Sequence, residues 1–400
     1  MKHTQTHKAF LSDTEDLSLV LGGPLYQLWR RLHAAGPALE LLARRMIGIP
    51  LVAWLPLLVL TAYDGVAIGH AVPVPFLYDL GVHGRFLVAI PLFLLAEVVV
   101  HQRMRPLIRH FVDAGIVTPQ VLPEFQAAIA WAHRLRNSLA VEVTLVVLVF
   151  GLGWLLFLEG TSMGISTWYT ISDGAGRHLT VAGRWYIHVS IPIFQFIFFR
   201  WYFRLIIWAL FLWRVSRLDL QLTPAHPDRA GGLGFLAGAP IAFALVILAQ
   251  SALLSALIGN RILFQGAALI SFKYEIAAFV IIQLALVLGP LCVFSPRLLA
   301  LKRQGRLEYG ALAARYAREF QEKWIGGAAP VDEPLVGSAD IQSLADLANS
   351  YEVVRGMRAV PFSRDTIIQV AVPAVVPLLP LVLTVVPAEE ILKKLLGMLL

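Results

Sequence analysis

Four ionisable residues stand in otherwise apolar runs of this chain: Glu97 in FLLAEVVV, Glu142 in LAVEVTLVV, and Arg200 and Arg204 in FIFFRWYFRLIIW. An ionisable side chain in such a run costs about 2.5–3.5 kcal/mol on insertion scales, so its position is informative. Arg200 and Arg204 are four residues apart and share a helix face, as do Glu97 and His101. At about 1.5 Å of rise per residue, Arg200 falls about 6 Å and Arg204 about 12 Å to one side of the centre of their run. Glu97 and Glu142 fall at a comparable depth. Two acids and two arginines at one level are the makings of a neutralising ion-pair network. They could also serve as a gate or coupling site for protons or anions. Both readings are carried forward.

The second chemically suggestive stretch is LTPAHPDRAGGLGFLAGAP, Leu222–Pro240. His226, Asp228 and Arg229 precede Gly231, Gly232 and Gly234, and a long apolar run follows. The glycines permit unusual backbone angles, and the next helix presents its positive end. Backbone donors there, with Arg229 and His226, suit a phosphate, carboxylate or lipid headgroup. The alternative is a turn in which Asp228 caps or pairs with Arg229 and the glycines let helices pack closely. The spacing matches neither G-x-x-x-x-G-K-[ST] nor G-x-G-x-x-G, and no βαβ context surrounds it. A metal site needs a third ligand, which this stretch does not supply, so no metal is expected.

Other chemistry finds little support. There is no H-E-x-x-H and no paired aspartate motif of the intramembrane-protease kind. A bis-histidine haem needs a partner facing His188, and none has helical pairing with it, so no cofactor is expected. Cys292 is the single cysteine, which excludes an intrachain disulfide and a thiolate cluster.

The elements that must position these residues follow from composition. Of 400 residues, 58% are hydrophobic and only 15% charged, and the mean hydropathy is +0.71. A soluble chain carries about a quarter charged residues. The surplus apolar content fits a bilayer as solvent. The expected fold is therefore all-α, a polytopic membrane bundle of seven transmembrane helices. Apolar runs near the required length lie at Ile47–Tyr63, Phe86–Val100, Leu139–Leu158, Trp185–Ile207, Ala237–Ile258, Ile276–Phe294 and Ile367–Val386. The second is short and is expected to lean on its flanks or continue as an amphipathic helix toward Ile108. Prolines contain or abut every run but the third, and Pro373, Pro377 and Pro380 make the seventh the best candidate for a partly unwound helix.

Lys and Arg number six, five, three and ten in alternate connecting segments, against one, two, two and two in the others. The positive-inside rule places the N-terminus in the cytoplasm and the C-terminus outside. The polar start of the chain lacks the pattern of a signal peptide, and the inner (plasma) membrane is the expected location. The net charge of +7 is explained by these basic loops without nucleic acid.

The organisation expected is an interfacial N-terminal segment (1–46), six spans (47–296), a cytoplasmic helical loop (297–365), and a seventh span with a short outer tail (366–400). The loop carries two amphipathic patterns: Tyr309, Leu312, Tyr316, Phe320 and Trp324, then Ile341, Leu344, Leu347, Tyr351, Val354 and Met357, separated by GGAAPVDEPLVG. These are expected to form a helical layer under the bundle. The partners this architecture admits are the bilayer, anionic lipid headgroups, a cytoplasmic protein and a second copy of the chain. Three functions fit: a transporter or channel gated by Glu97, Glu142, Arg200 and Arg204; a scaffold or sensor acting through the cytoplasmic loop; and a lipid-acting enzyme centred on His226, Asp228 and Arg229.

Overall fold

The computed structural model describes residues 38–160, 167–173 and 176–384, a few of them by backbone alone. The expected N-terminal interfacial segment up to residue 37, with Arg30 and Arg31, and the tail from residue 385 lie outside the described residues. The chain is almost entirely helical: α1 (Ala38–Tyr63), α2 (Leu80–Asp113), α3 (Leu122–Arg136), α4 (Leu139–Gly160), a hairpin of β1 (Thr170–Asp173) and β2 (Gly176–Leu179), α5 (Val181–Val215), α6 (Gly234–Gln265), α7 (Leu269–Ile325), α8 (Ala339–Arg355) and α9 (Arg364–Thr384).

Among the described residues, six helices are long and apolar enough to cross a membrane: most of α1, then α2, α5, α6, α7 and α9. This is the arrangement of a multi-pass membrane protein. No more than 44% of the most apolar stretch of any of them is buried, and side chains such as Ile47, Val59 and Ile281 face outward. Water would not favour that surface, whereas lipid does. The run expected as a third span is the 22-residue α4, whose side chains are described only to residue 151.

Several helices depart from a simple α ladder. α2 is 34 residues long, so the short second run is the middle of a longer helix. Beyond it Met104, Ile108 and Phe111 are buried on one face, and Pro106 does not interrupt the helix. α2 contains a π segment at Gly84–Ala89 and α5 another at Tyr186–Ser190. α6 is interrupted at Phe243 before continuing as Ala244–Gln265. In α9 the last nine residues, Val376–Thr384, are 3-10 helix around Pro380, where proline cannot donate to an α ladder.

The longest element is α7. Its 57 residues run through the membrane-length part, through a 3-10 segment at Gly289–Phe294, and out into an α helix from Ser295. α8 folds back antiparallel against it. The register is fixed by Lys323 with Asp340 at 2.9 Å at the tip and by Lys302 Nζ donating to the Met357 carbonyl at 2.6 Å at the base. At Gly305 an added Cβ would lie 2.6 Å from Pro224 Cβ, so the helix passes flush against the loop before α6. The expected cytoplasmic helices thus exist as elements, but they form a projecting hairpin and not a flat layer.

A further helix, α3, forms in a stretch the sequence predicts as a connecting segment, and it packs against α5. Phe125, Ala128, Ile129 and Ala132 bury one face against α5, and the Arg214 guanidinium lies 3.9 Å from the centre of the Trp131 ring. At the opposite end, Asp79 ties three segments together. It accepts from Trp168 Nε1 at 2.9 Å, Asn260 Nδ2 at 2.7 Å and the Val82 N–H at 3.2 Å. The β-hairpin, unexpected in an all-α reading, joins the chain at this end.

Candidate functional site: a shared carboxylate between spans

Glu97 on α2 is the centre of the charged cluster. Its Oε1 accepts from Arg204 Nη2 of α5 at 2.8 Å, and its Oε2 accepts from Arg45 Nη2 of α1 at 2.9 Å. One carboxylate therefore joins three helices. The Arg204 side chain is almost fully buried, Glu97 nearly so, and Arg45 less. The Arg204 guanidinium also stacks on the Trp201 ring, 4.6 Å from its centre. Burying such charges is tolerated when each is paired and hydrogen-bonded, and removing one partner leaves the other exposed to the full desolvation cost.

Arg200 lies one turn from Arg204 and is close enough to Arg204, Glu97, Glu142 and Arg45 to interact electrostatically with all four. Glu97, Glu142 and Arg204 thus all lie within electrostatic reach of Arg200. Arg45 completes the group. The sequence places it only in the interfacial segment 1–46, because its position beside Arg44 at the edge of an apolar run gives its depth and not the side of the helix it occupies. With Arg45 included, three cations face two acids.

A second polar group lies among α5, α6 and α7. The Tyr202 hydroxyl and Gln283 Nε2 both donate to Gln250 Oε1, at 2.8 and 2.6 Å. Next to Gln250, Ser251 donates to the Ala374 carbonyl of α9 at 2.6 Å. On α5 itself the buried Gln195 Oε1 and the indole N–H groups of Trp201 and Trp208 have no partner among the described residues. Polar groups left in this state inside apolar surroundings are costly.

The glycine-rich stretch before α6 has a different geometry. Asp228 Oδ1 accepts from the N–H of Ala230 at 2.8 Å and of Gly232 at 3.2 Å, and Oδ2 accepts from the Gly234 N–H at 2.7 Å. His226 Nδ1 lies 2.8 Å from Oδ1. The cradle of backbone donors is occupied by the chain's own carboxylate. Burial pushes the Asp228 carboxyl up, but the N–H groups of Ala230, Gly234 and Gly232 and the His226 ring outweigh it and hold it below the usual carboxylate range. Gly231 and Gly232 take positive φ, and Arg229 joins them at φ 52°. This places the Arg229 carbonyl to accept from the Arg358 N–H at 2.7 Å, while Arg358 Nη2 donates to the Asp228 carbonyl at 2.8 Å. The stretch is a clasp on the segment that leaves α8.

Among the described residues no group of three or more His, Cys, Asp or Glu is placed to hold a metal ion. The string GTSMG at 160–164 has the spacing of a serine nucleophile elbow. It begins at the last residue of α4, a helix where such an elbow is preceded by a strand, and its other residues lie outside the described residues. Neither a protein-family model, nor a curated protein, nor a solved structure matches this chain.

Proposed function

We propose that this chain is a seven-span protein of the inner membrane, with the α7–α8 hairpin in the cytoplasm, and that it provides a pathway for a small anion closed by a charged inner gate. The seven spans take α4 as the seventh apolar helix, and the orientation follows the distribution of Lys and Arg. The observation that carries the reading is the single Glu97 carboxylate held between Arg45 and Arg204 from two other helices. With Arg200 and Glu142 the cluster has an excess of cations. A basic constriction admits anions and repels cations. An anion that competes with Glu97 for the arginines loosens the tie between α1, α2 and α5. The π segments of α2 and α5 and the 3-10 end of α9 support it, because such departures from α geometry concentrate where helices move or bind.

The test is chloride and nitrate flux in liposomes containing the purified chain. Glu97→Gln removes the carboxylate that Arg204 and Arg45 both address and is expected to raise flux several-fold, whereas Arg200→Ala and Glu142→Ala are expected to change it. Wild-type vesicles no more permeable than empty ones, or all three variants matching wild type while folded, would sink the pathway.

A second reading, a scaffold or sensor, rests on the hairpin, whose two helices bury little beyond their mutual contact. Proximity labelling by the full chain in its native membrane would return a hairpin-dependent neighbour if it is right. The lipid-acting enzyme has weaker support, because Asp228 already spends both oxygens on its own loop.

A further inference from the structure

At the base of the hairpin lies a cavity of about 600 Å³ lined by Leu299, Lys302, Arg303, Arg306, Leu307 and Tyr351. We propose that it binds the phosphate group of an amphiphilic phosphate ester. Its size is that of a small-molecule site. Leu299, Lys302, Arg303 and Arg306 recur at helical spacing on α7, and Tyr351 closes the cavity from α8. The close approach at Gly305, where Pro224 and Val354 touch the helix, holds the two walls together.

The charge in the cavity is unbalanced. No carboxylate lines it. The nearby acids are engaged elsewhere, Glu308 by Gln304 at 2.7 Å and Glu352 by Arg355 at 3.1 Å. Lys302 is tied to the Met357 carbonyl and keeps further donors, since an ammonium has three. Arg303 and Arg306 have no hydrogen-bond or ion-pair partner among the described residues. Two free guanidinium forks beside an ammonium match the oxygens of a phosphate. The leucines narrow the ligand class. Leu299 is 48% and Leu307 72% exposed, so a bare inorganic anion leaves both in water, whereas an ester with an apolar arm covers them.

Position along α7 allows two sources for one chemistry. Leu299 lies about 8 Å and Leu307 about 20 Å beyond Phe294 along the helix axis. The headgroup zone adds about 5–8 Å to each side of the hydrocarbon core. The cavity thus begins at headgroup level and opens toward water, within reach of a membrane phospholipid or of a soluble phosphate ester. This site is separate from the Glu97 cluster and stands whether or not the chain conducts anions.

The experiment measures the thermal unfolding midpoint of the full chain in neutral detergent during titration with dihexanoyl-phosphatidylglycerol, and separately with glycerol 3-phosphate. The expected result is a saturable rise with the acylated ester and at least a tenfold loss of apparent affinity in R303Q/R306Q. Both arginines are exposed and unpaired, so this variant should unfold at the wild-type midpoint without ligand. R303K/R306K, which keeps charge but loses the fork, should fall between. If glycerol 3-phosphate competes, a soluble ester suffices; if only the acylated ester binds, and L299N/L307N weakens it, the source is the leaflet. Absence of saturable binding by wild type, or equal binding by R303Q/R306Q, overturns the proposal.

Discussion

Gly84 of α2 faces Ala256 of α6 so closely that a Cβ on Gly84 would lie 2.6 Å from that of Ala256. The π segment Gly84–Ala89 brings this glycine to the contact, and the two helices pack there without a side chain between them. Helix association within lipid relies on such close approach of small residues. Gly84→Val therefore forces the pair apart and should destabilise the bundle by about 1–3 kcal/mol, the usual cost of overpacking. Thermal unfolding in nanodiscs reads this directly. An unchanged midpoint would mean the contact is not maintained.

Arg204 and Arg45 share Glu97 unequally. Arg204 is the more buried partner, so Arg204→Ala leaves a buried carboxylate poorly compensated and should cost about 3–5 kcal/mol. Arg45→Ala should cost clearly less. A double-mutant cycle with Glu97→Gln should recover much of the Arg204→Ala loss, because the stranded charge is then gone. Equal effects for the two arginines would argue that burial does not set their contributions.

Asp228 supplies a pH dependence whose sign is fixed. Its carboxyl titrates lower in the folded chain than in the unfolded chain. Its contribution is therefore complete above the unfolded value of about 3.9 and is lost as pH falls through the folded value. Acidification below about pH 4 should loosen the clasp on Arg358 and raise amide exchange at residues 229–234 and 356–358. Asp228→Asn sets an amide N–H₂ or a weaker acceptor against these donors. It should show the fast exchange already at pH 7 and lose the acid dependence. If the exchange profile of the variant is as acid-sensitive as that of wild type, another group is responsible.

Gln250→Leu removes the oxygen that both Tyr202 and Gln283 address. The buried Gln283 amide and the half-buried Tyr202 hydroxyl then lose this acceptor, at about 1–3 kcal/mol for a fully buried donor and less for a half-buried one. Replacing all three with apolar residues of similar volume should restore most of the stability, a comparison made by chemical denaturation of the two variants. No difference between them would show that water or another group takes the place of Gln250.

The apolar runs were legible because a membrane-length helix needs only composition and length, and the paired amphipathic patterns around Tyr316 and Tyr351 gave both hairpin helices. The depth of Glu97 and Arg204 was legible from rise per residue. Their partner Arg45 was not, because a single sequence fixes position along a helix far better than rotation about it. α3 was hidden by its basic surroundings, although Pro123 and Glu124 at its start and His133, Arg134 and Arg136 at its end are ordinary helix-boundary signals. The four-residue strands around residue 174 are too short for alternation to register. For the glycine-rich loop, the donors were foreseen, but only the folded turn revealed that Asp228 reaches them all.

The continuity of α7 makes the hairpin a lever. The 31 residues from Ser295 to Ile325 extend about 46 Å at helical rise, and the 3-10 segment Gly289–Phe294 precedes them. A change of only 10° in direction beyond that segment sweeps the tip about 8 Å sideways, by the same rise. Because Gly305 lies flush against Pro224 and Arg297 donates to the Leu218 and Arg217 carbonyls, any such change must carry the loop before α6 with it, so the position of the tip is tied to that loop.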